Sequence, residues 1–220
     1  MRVRFISSGK VCEYKKAVEE KPCEGEGADI LVFPFGGVDE VSYAKELKGE
    51  TCVFETVAEL SKCLRAAVVC GCVTNTGGHK RKSAIVANKG KLLGVTDMLN
   101  AVDGEVASGA SLQVYATDVG KMGVAVADDL QVYEVMRALT LCGSDFLVCV
   151  CEKPKAVHGA LIRAWAYCLG VPVLLAEEGR AGAADETGAL AFSSTQAASA
   201  ISVTPRREYH LVETRRRGKR

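Results

Sequence analysis

The side chains best suited to chemistry in this chain are its ten cysteines and three histidines, set among 27 acidic and 28 basic residues. Cys70 and Cys72 lie two apart in one apolar run, and Cys149 and Cys151 in another. Side chains alternate along a strand, so each pair shares a face, and four thiols are enough to hold a metal. Cys-X-Cys inside a strand nevertheless lacks the turn-borne Cys-X-X-Cys knuckle of structural zinc. These cysteines therefore read as small buried hydrophobes, with no metal and no cofactor expected. His79 falls in the polar run Gly77-Gly78-His79-Lys80-Arg81-Lys82, where a solvated ring is the expectation. His158 follows Lys153-Pro154-Lys155 near a helix start and is a candidate for lining a pocket mouth. Gly36-Gly37 and Gly77-Gly78 read as turns, and neither fits a phosphate-binding loop.

These groups must be positioned by alternating strand-like and helix-like segments. Ala28 to Pro34 is a short β-rich run, a helical pattern covers Val57 to Leu64, and Ala66 to Val73 reads as a buried strand ended by Thr74 to Gly78. Ser83 to Val86 and Lys91 to Val95 flank Asn88-Lys89-Gly90, predicting a hairpin with a three-residue turn. Leu112 to Ala116 pairs with Gly123 to Ala127 around Asp118 to Lys121. Val132 to Cys142 is predicted helical, with Gly143 closing it. Phe146 to Cys151 reads as a strand, Ala156 to Leu169 as a helix and Val171 to Ala176 as a strand. Gly188 to Phe192 and Ala200 to Val203 suggest a final strand pair. Hairpins mixed with strand–helix–strand units imply α and β layers, helices covering sheets.

Bulk properties narrow the function classes. A chain of 220 residues without a compositional break suits one domain, taken as 1–213, with 214–220 a basic and mobile tail. The net charge of +1 argues against nucleic acid or an anionic membrane as partner of the body of the protein. The amino-terminal Met1-Arg2-Val3-Arg4 turns polar too soon for a secretory signal, and no run of about 18 apolar residues could span a bilayer. Scattered cysteines without a signal point to reduced thiols and a cytoplasmic location.

From about Ala28 to Arg180, the order and local wording of these segments resemble the nitrilase, or carbon–nitrogen hydrolase, family. Its members open with an Ala-Asp-aliphatic strand ending Phe-Pro-Glu, the glutamate being the general base; here Ala28-Asp29-Ile30-Leu31-Val32-Phe33-Pro34 leads to Phe35. A hairpin matching Ser83 to Gly94 then leads to the family's catalytic lysine, and the count places Met98 there, with no lysine between Lys91 and Lys121. The nucleophilic cysteine ends a strand that matches Gly123 to Val126, and its position holds Ala127, followed by Asp128 and Asp129, with Glu134 at a second acidic position. Arg163-Ala164-Trp165-Ala166 resembles the segment that usually carries a Glu-Asn pair, replaced here by Cys168 and Leu169.

The resemblance implies a mixed α/β, four-layer α-β-β-α sandwich that pairs into a homodimer. The family's chemistry needs a thiolate nucleophile, a base to activate it and a cation for the oxyanion. Ala127 cannot attack, Phe35 cannot accept a proton and Met98 carries no charge, so amide hydrolysis by the usual route is expected to be absent. The three replacements are mutually consistent: a buried charge stripped of its partner costs about 3–5 kcal/mol, whereas an all-apolar set is often neutral or stabilising. The expectation is a binding or oligomeric subunit for a small amide- or carboxylate-containing ligand. The alternative is an amidase-type enzyme with a relocated nucleophile. Cys149, Cys151 or Cys168 would then serve near the former site, with Asp128 or Glu134 as base and His158 nearby, while Asp129 is expected to be a structural hydrogen-bond acceptor.

Overall fold

A computed structural model describes residues 1–20, 27–102 and 104–205. Two sheets stack face to face, each covered on its outer side by helices. The first contains β1 (Arg2–Ile6), β2 (Ile30–Phe33), β3 (Val41–Ser42), β4 (Ala67–Thr76), β5 (His79–Asn88) and β6 (Lys91–Asp97). The second contains β7 (Val114–Thr117), β8 (Gly120–Val126), β9 (Phe146–Val150), β10 (Val173–Glu177), β11 (Arg180–Ala184) and β12 (Leu190–Ser194). The last strand, β13 (Ala198–Ser202), crosses back to the first sheet, whose order is β13-β1-β2-β4-β5-β6 with β3 added beside β4; the second runs β12-β11-β10-β9-β8-β7.

At the centre of each sheet the strands run parallel, β1–β2–β4 in one and β8–β9–β10 in the other. Parallel strands are covered on both faces, so they read as unbroken apolar runs; Ile-Leu-Val-Phe of β2 and Phe-Leu-Val-Cys-Val of β9 are buried at every residue. Helices α1 (Val11–Glu20) and α3 (Val53–Leu64) cover the first sheet, with the short α2 (Tyr43–Leu47) before α3. Helices α4 (Tyr133–Leu141) and α5 (Ala156–Leu169) cover the second. Three apolar clusters result: one between the sheets, and one beneath each helical layer.

Several sequence expectations need adjusting. The run from Thr74 to Gly78 is not a loop. β4 continues to Thr76 and pairs with β5 through the two-residue turn Gly77-Gly78, whose φ angles of 59° and 89° suit the tight hairpin turn that follows the strand twist. His79 to Lys82 therefore lie in a strand rather than a polar loop. The next turn is also two residues long, Lys89-Gly90, and a register shift between Val86 and Ala87 absorbs the count. The final strands do not pair with each other: β12 joins β11, and β13 joins β1. Periodicity alone does not anticipate β1, α1 and β11, which are short or strongly charged. The basic tail 214–220 lies outside the described residues.

Candidate active site and the cleft above it

Each of the three candidate positions directly follows the end of a strand or the first residue beyond it. Phe35 follows β2 directly after Pro34, Met98 follows β6, and Ala127 follows β8. All three are buried, at 5%, 2% and 5% exposure, and belong to the single apolar cluster between the two sheets. Backbone leaving the strands at this corner must turn away sharply, which explains two local features. Gly71 is obligatory opposite Phe35, since a Cβ there would lie 2.9 Å from both the Phe35 ring and its backbone nitrogen. Ala127 takes φ 50°, left-handed backbone that costs an L-residue about 1–2 kcal/mol, as the chain leaves β8 for a 3₁₀ turn over Ala127–Gln131. The departure from the strand turns Ala127 into the inter-sheet cluster with Val124 and Val126, whereas Ala125 faces the helices.

Asp129 fixes the geometry of this corner. It is buried and accepts hydrogen bonds from the Leu99 and Asn100 backbone N–H groups at 2.8 and 3.0 Å and from the Asn100 side chain at 2.9 Å. It thereby ties the segment after Met98 to the turn after Ala127. Burial pushes its carboxyl up despite these donors. Asp128 instead pairs with Lys155 at 2.7 Å and with Gln131; burial raises it, but the Lys155 and Lys82 ammoniums leave it below the ordinary carboxylate range. Glu134 is in the first turn of α4, away from the buried cluster.

Cys149 and Cys151 face the α4/α5 layer, not the inter-sheet cluster, and are 0% and 2% exposed. The Cys151 thiol donates to the carbonyl of Ala127 at 3.5 Å, and burial pushes both thiols well above their usual range. Cys168 sits ten residues along α5 from His158, about 15 Å at 1.5 Å per residue, towards the opposite end of the strands. His158 does not line a mouth. It is 2% exposed, and its Nδ1 meets Glu177 Oε1 at 2.5 Å. The other oxygen of Glu177 accepts from Arg180 Nε, and Arg180 also donates to the carbonyl of Lys155 at 2.9 Å. Burial raises the Glu177 carboxyl, but His158 and Arg180 together hold it below its ordinary value. This cluster pins the start of α5 to the β10–β11 turn.

An open cleft of about 610 Å³ lies above Phe35. Its apolar floor includes Phe35, Val38, Cys72 and Val73, and an ion pair crosses it: Lys82 of β5 reaches Glu152, just beyond β9, at 2.9 Å. Lys82 stands opposite Met98, whose N–H donates to the Lys82 carbonyl at 2.8 Å. Positive charge is thus present on the strand paired with the one that Met98 follows. Cys72 is a thiol that the cleft wall does present, but it is 1% exposed and burial pushes it up to about 12. Sequence reasoning missed Lys82 and Glu152. Had His79 to Lys82 been read as strand, period-two alternation would have put Lys82 on the same face as Ala84 and Val86, which the structure turns towards the second sheet. Among the described residues no group of three or more metal-ligating side chains gathers, and no helix is long and apolar enough to cross a membrane.

The sequence model of the carbon-nitrogen hydrolase family matches residues 13–193. No curated protein sequence matches significantly. Among solved structures, Nit3 of Saccharomyces cerevisiae, described as a member of branch 10 of the nitrilase superfamily, is similar over 100% of this chain and 94% of its own, with a TM-score of 0.75 and 15% identity. An amidase from Nesterenkonia sp. is similar over 99% of this chain and 96% of its own, with a TM-score of 0.72 and 15% identity. A carbon-nitrogen hydrolase from Helicobacter pylori G27 is similar over 89% of this chain and 86% of its own, with a TM-score of 0.71 and 14% identity. The four-layer α-β-β-α architecture is common ground with these structures.

Proposed function

The chain belongs to the carbon-nitrogen hydrolase family, and from that premise we propose that it is a non-catalytic member, acting as a binding or oligomeric subunit. The observation that carries this reading is the shared burial of Phe35, Met98 and Ala127 in one apolar cluster at the strand ends. No atom of those three side chains can attack a carbonyl carbon, accept a proton from a nucleophile or neutralise an oxyanion. The cleft above Phe35 holds charged groups and room for a small polar molecule, which favours a ligand bearing an amide or a carboxylate. A homodimer, the arrangement expected from the family resemblance, is the assembly we propose, in the cytoplasm.

The rival is an amidase with a relocated thiol. Burial weighs against it, because Cys72, Cys149 and Cys151 are all held protonated at neutral pH, and only a thiolate is an effective nucleophile. Purified protein at high concentration, incubated with a panel of small amides and nitriles, is expected to release no ammonia above background. Turnover that is abolished by Cys72→Ala, Cys151→Ala or Cys168→Ala would overturn the reading in favour of the enzyme. Light scattering on the same sample measures the assembly; a monomer at all concentrations would remove the dimer.

A further inference from the structure

We propose that the cleft above Phe35 binds a small amino-acid-like zwitterion, with the Lys82–Glu152 pair as the element that recognises it. This rests on the reading of the site as a binding cleft and deepens it, and it can be tested without reference to turnover.

The volume of about 610 Å³ falls within the range of roughly 300–1,000 Å³ typical of small-molecule sites. The charges around the cleft decide what kind of molecule would suit it. Two of its carboxylates are already engaged by neighbours in the first sheet or its connections: Asp39 with Lys10 at 2.6 Å, and Glu40 with Lys80 at 2.6 Å and with the Asn75 amide at 2.7 Å. What remains around the cleft is Lys82 and Lys153 against Glu105, Glu152 and Glu178.

Lys82 and Glu152 differ from the other pairs in two respects. They come from different sheets, so their contact spans the cleft rather than running along one wall. They are also unequally covered: the Lys82 side chain is 18% exposed and that of Glu152 42%. Lys82 is thus a sheltered cation whose partner is reachable by solvent. A carboxylate presented by a ligand can take Glu152's place on Lys82, with the charge-assisted hydrogen bond retained.

That exchange releases Glu152, and its fate selects the ligand. A simple carboxylate would leave Glu152 without its cation in a cleft that also holds the carboxylates of Glu105 and Glu178. A simple amine could satisfy Glu152 but would draw it away from Lys82 and supply no anion in return. A molecule carrying both groups exchanges with both halves of the pair at once, so no charge is stranded. The floor of Phe35, Val38 and Val73 offers apolar contact to its carbon skeleton. Three carboxylates face two ammoniums in this set, so a ligand with a second ammonium is favoured over one with a second carboxylate.

The test uses the full chain and isothermal titration with L-lysine, L-glutamate, 1,5-diaminopentane and hexanoate. Saturable binding of L-lysine is expected, with L-glutamate, the diamine and the fatty acid each weaker by about tenfold or more. Lys82→Met and Glu152→Gln are each expected to weaken L-lysine by about tenfold or more, while circular dichroism shows the fold intact. Lys82→Arg, which keeps the charge, retains binding and guards against a loss caused by misfolding. The proposal fails if L-lysine does not bind saturably, if either neutralising variant binds it as well as the unaltered protein, or if L-glutamate, the diamine or hexanoate binds equally well. Ammonia release from amides would defeat the non-catalytic reading and leave this result untouched; absence of L-lysine binding would do the reverse.

Discussion

The Cys151 thiol donates to the carbonyl oxygen of Ala127 across 3.5 Å. The contact joins the position that the resemblance matches to the nucleophile to one of the sulfurs considered as its replacement. It also shows why replacement is unfavourable. The thiol points at a backbone acceptor beneath the helical layer, and its neighbours there, Cys149 and Glu177, make ionisation harder still. Iodoacetamide mapping by mass spectrometry of the native protein should label the exposed Cys12, Cys52, Cys63 and Cys142 while sparing Cys70, Cys72, Cys149 and Cys151 until the protein is unfolded. Rapid native labelling of Cys151 would contradict this account.

The left-handed backbone at Ala127 makes a second prediction. Ala127→Gly relieves the αL cost but adds chain entropy in the unfolded state, and the two terms are of similar size, so the change in stability should stay within about 1 kcal/mol. Ala127→Val adds a β-branched side chain to the same backbone and to a closed cluster, and should lose about 2 kcal/mol or more. Urea unfolding midpoints of the two variants measure the contrast.

Convergence of Phe35 and Met98 is testable by restoring charge. Phe35→Glu or Met98→Lys alone should each destabilise by about 3 kcal/mol, because each buries a single charge among apolar neighbours. The double variant should lose less than the sum by about 1 kcal/mol or more, as the new carboxylate and ammonium neutralise one another. Strict additivity in denaturant melts would mean that the two positions do not meet.

Asp129→Ala removes the acceptor of three hydrogen bonds and leaves the Leu99 and Asn100 N–H groups stranded. A loss of about 2–3 kcal/mol is expected. Hydrogen exchange should localise the damage, with the Leu99 and Asn100 amides losing protection before those of β8.

Acid stability should report on Glu177. Its carboxyl is depressed in the folded protein relative to an ordinary glutamate of 4.5, by His158 and Arg180 acting against burial. A depressed acid stabilises the fold fully above its unfolded value, and that stabilisation is lost as pH falls through the folded value. Thermal melts of the unaltered protein should therefore fall below about pH 4.5 by linkage, and Glu177→Gln should flatten that limb while lowering stability at neutral pH.

Much of the fold could be read from local pattern. α5 spans Ala156–Leu169 as the periodicity predicts, and β9 and β10 occupy the apolar runs assigned to them, because burial on both faces leaves an unbroken hydrophobic signature. The hairpin turns were less legible. Lys89 in left-handed backbone carries no strong sequence signal, and Arg81 and Lys82 look like loop residues until β4 supplies their partners.

The sequence by itself determined that Phe35, Met98 and Ala127, the residues the resemblance matches to the three motif positions, bring no nucleophile, base or cation. Where the other thiols lie was for the tertiary structure to decide, since a side chain's reactivity depends on which face of its strand it occupies and what surrounds it there. Period-two alternation put Cys149 and Cys151 on one face, but only the stacking of the layers made that the helix-covered face rather than the cleft. The same stacking brought Lys82 and Glu152, 70 residues apart in the chain, to 2.9 Å across the strand ends. Contacts between separate sheets have no local sequence signature, because they depend on the register and packing of every strand between them.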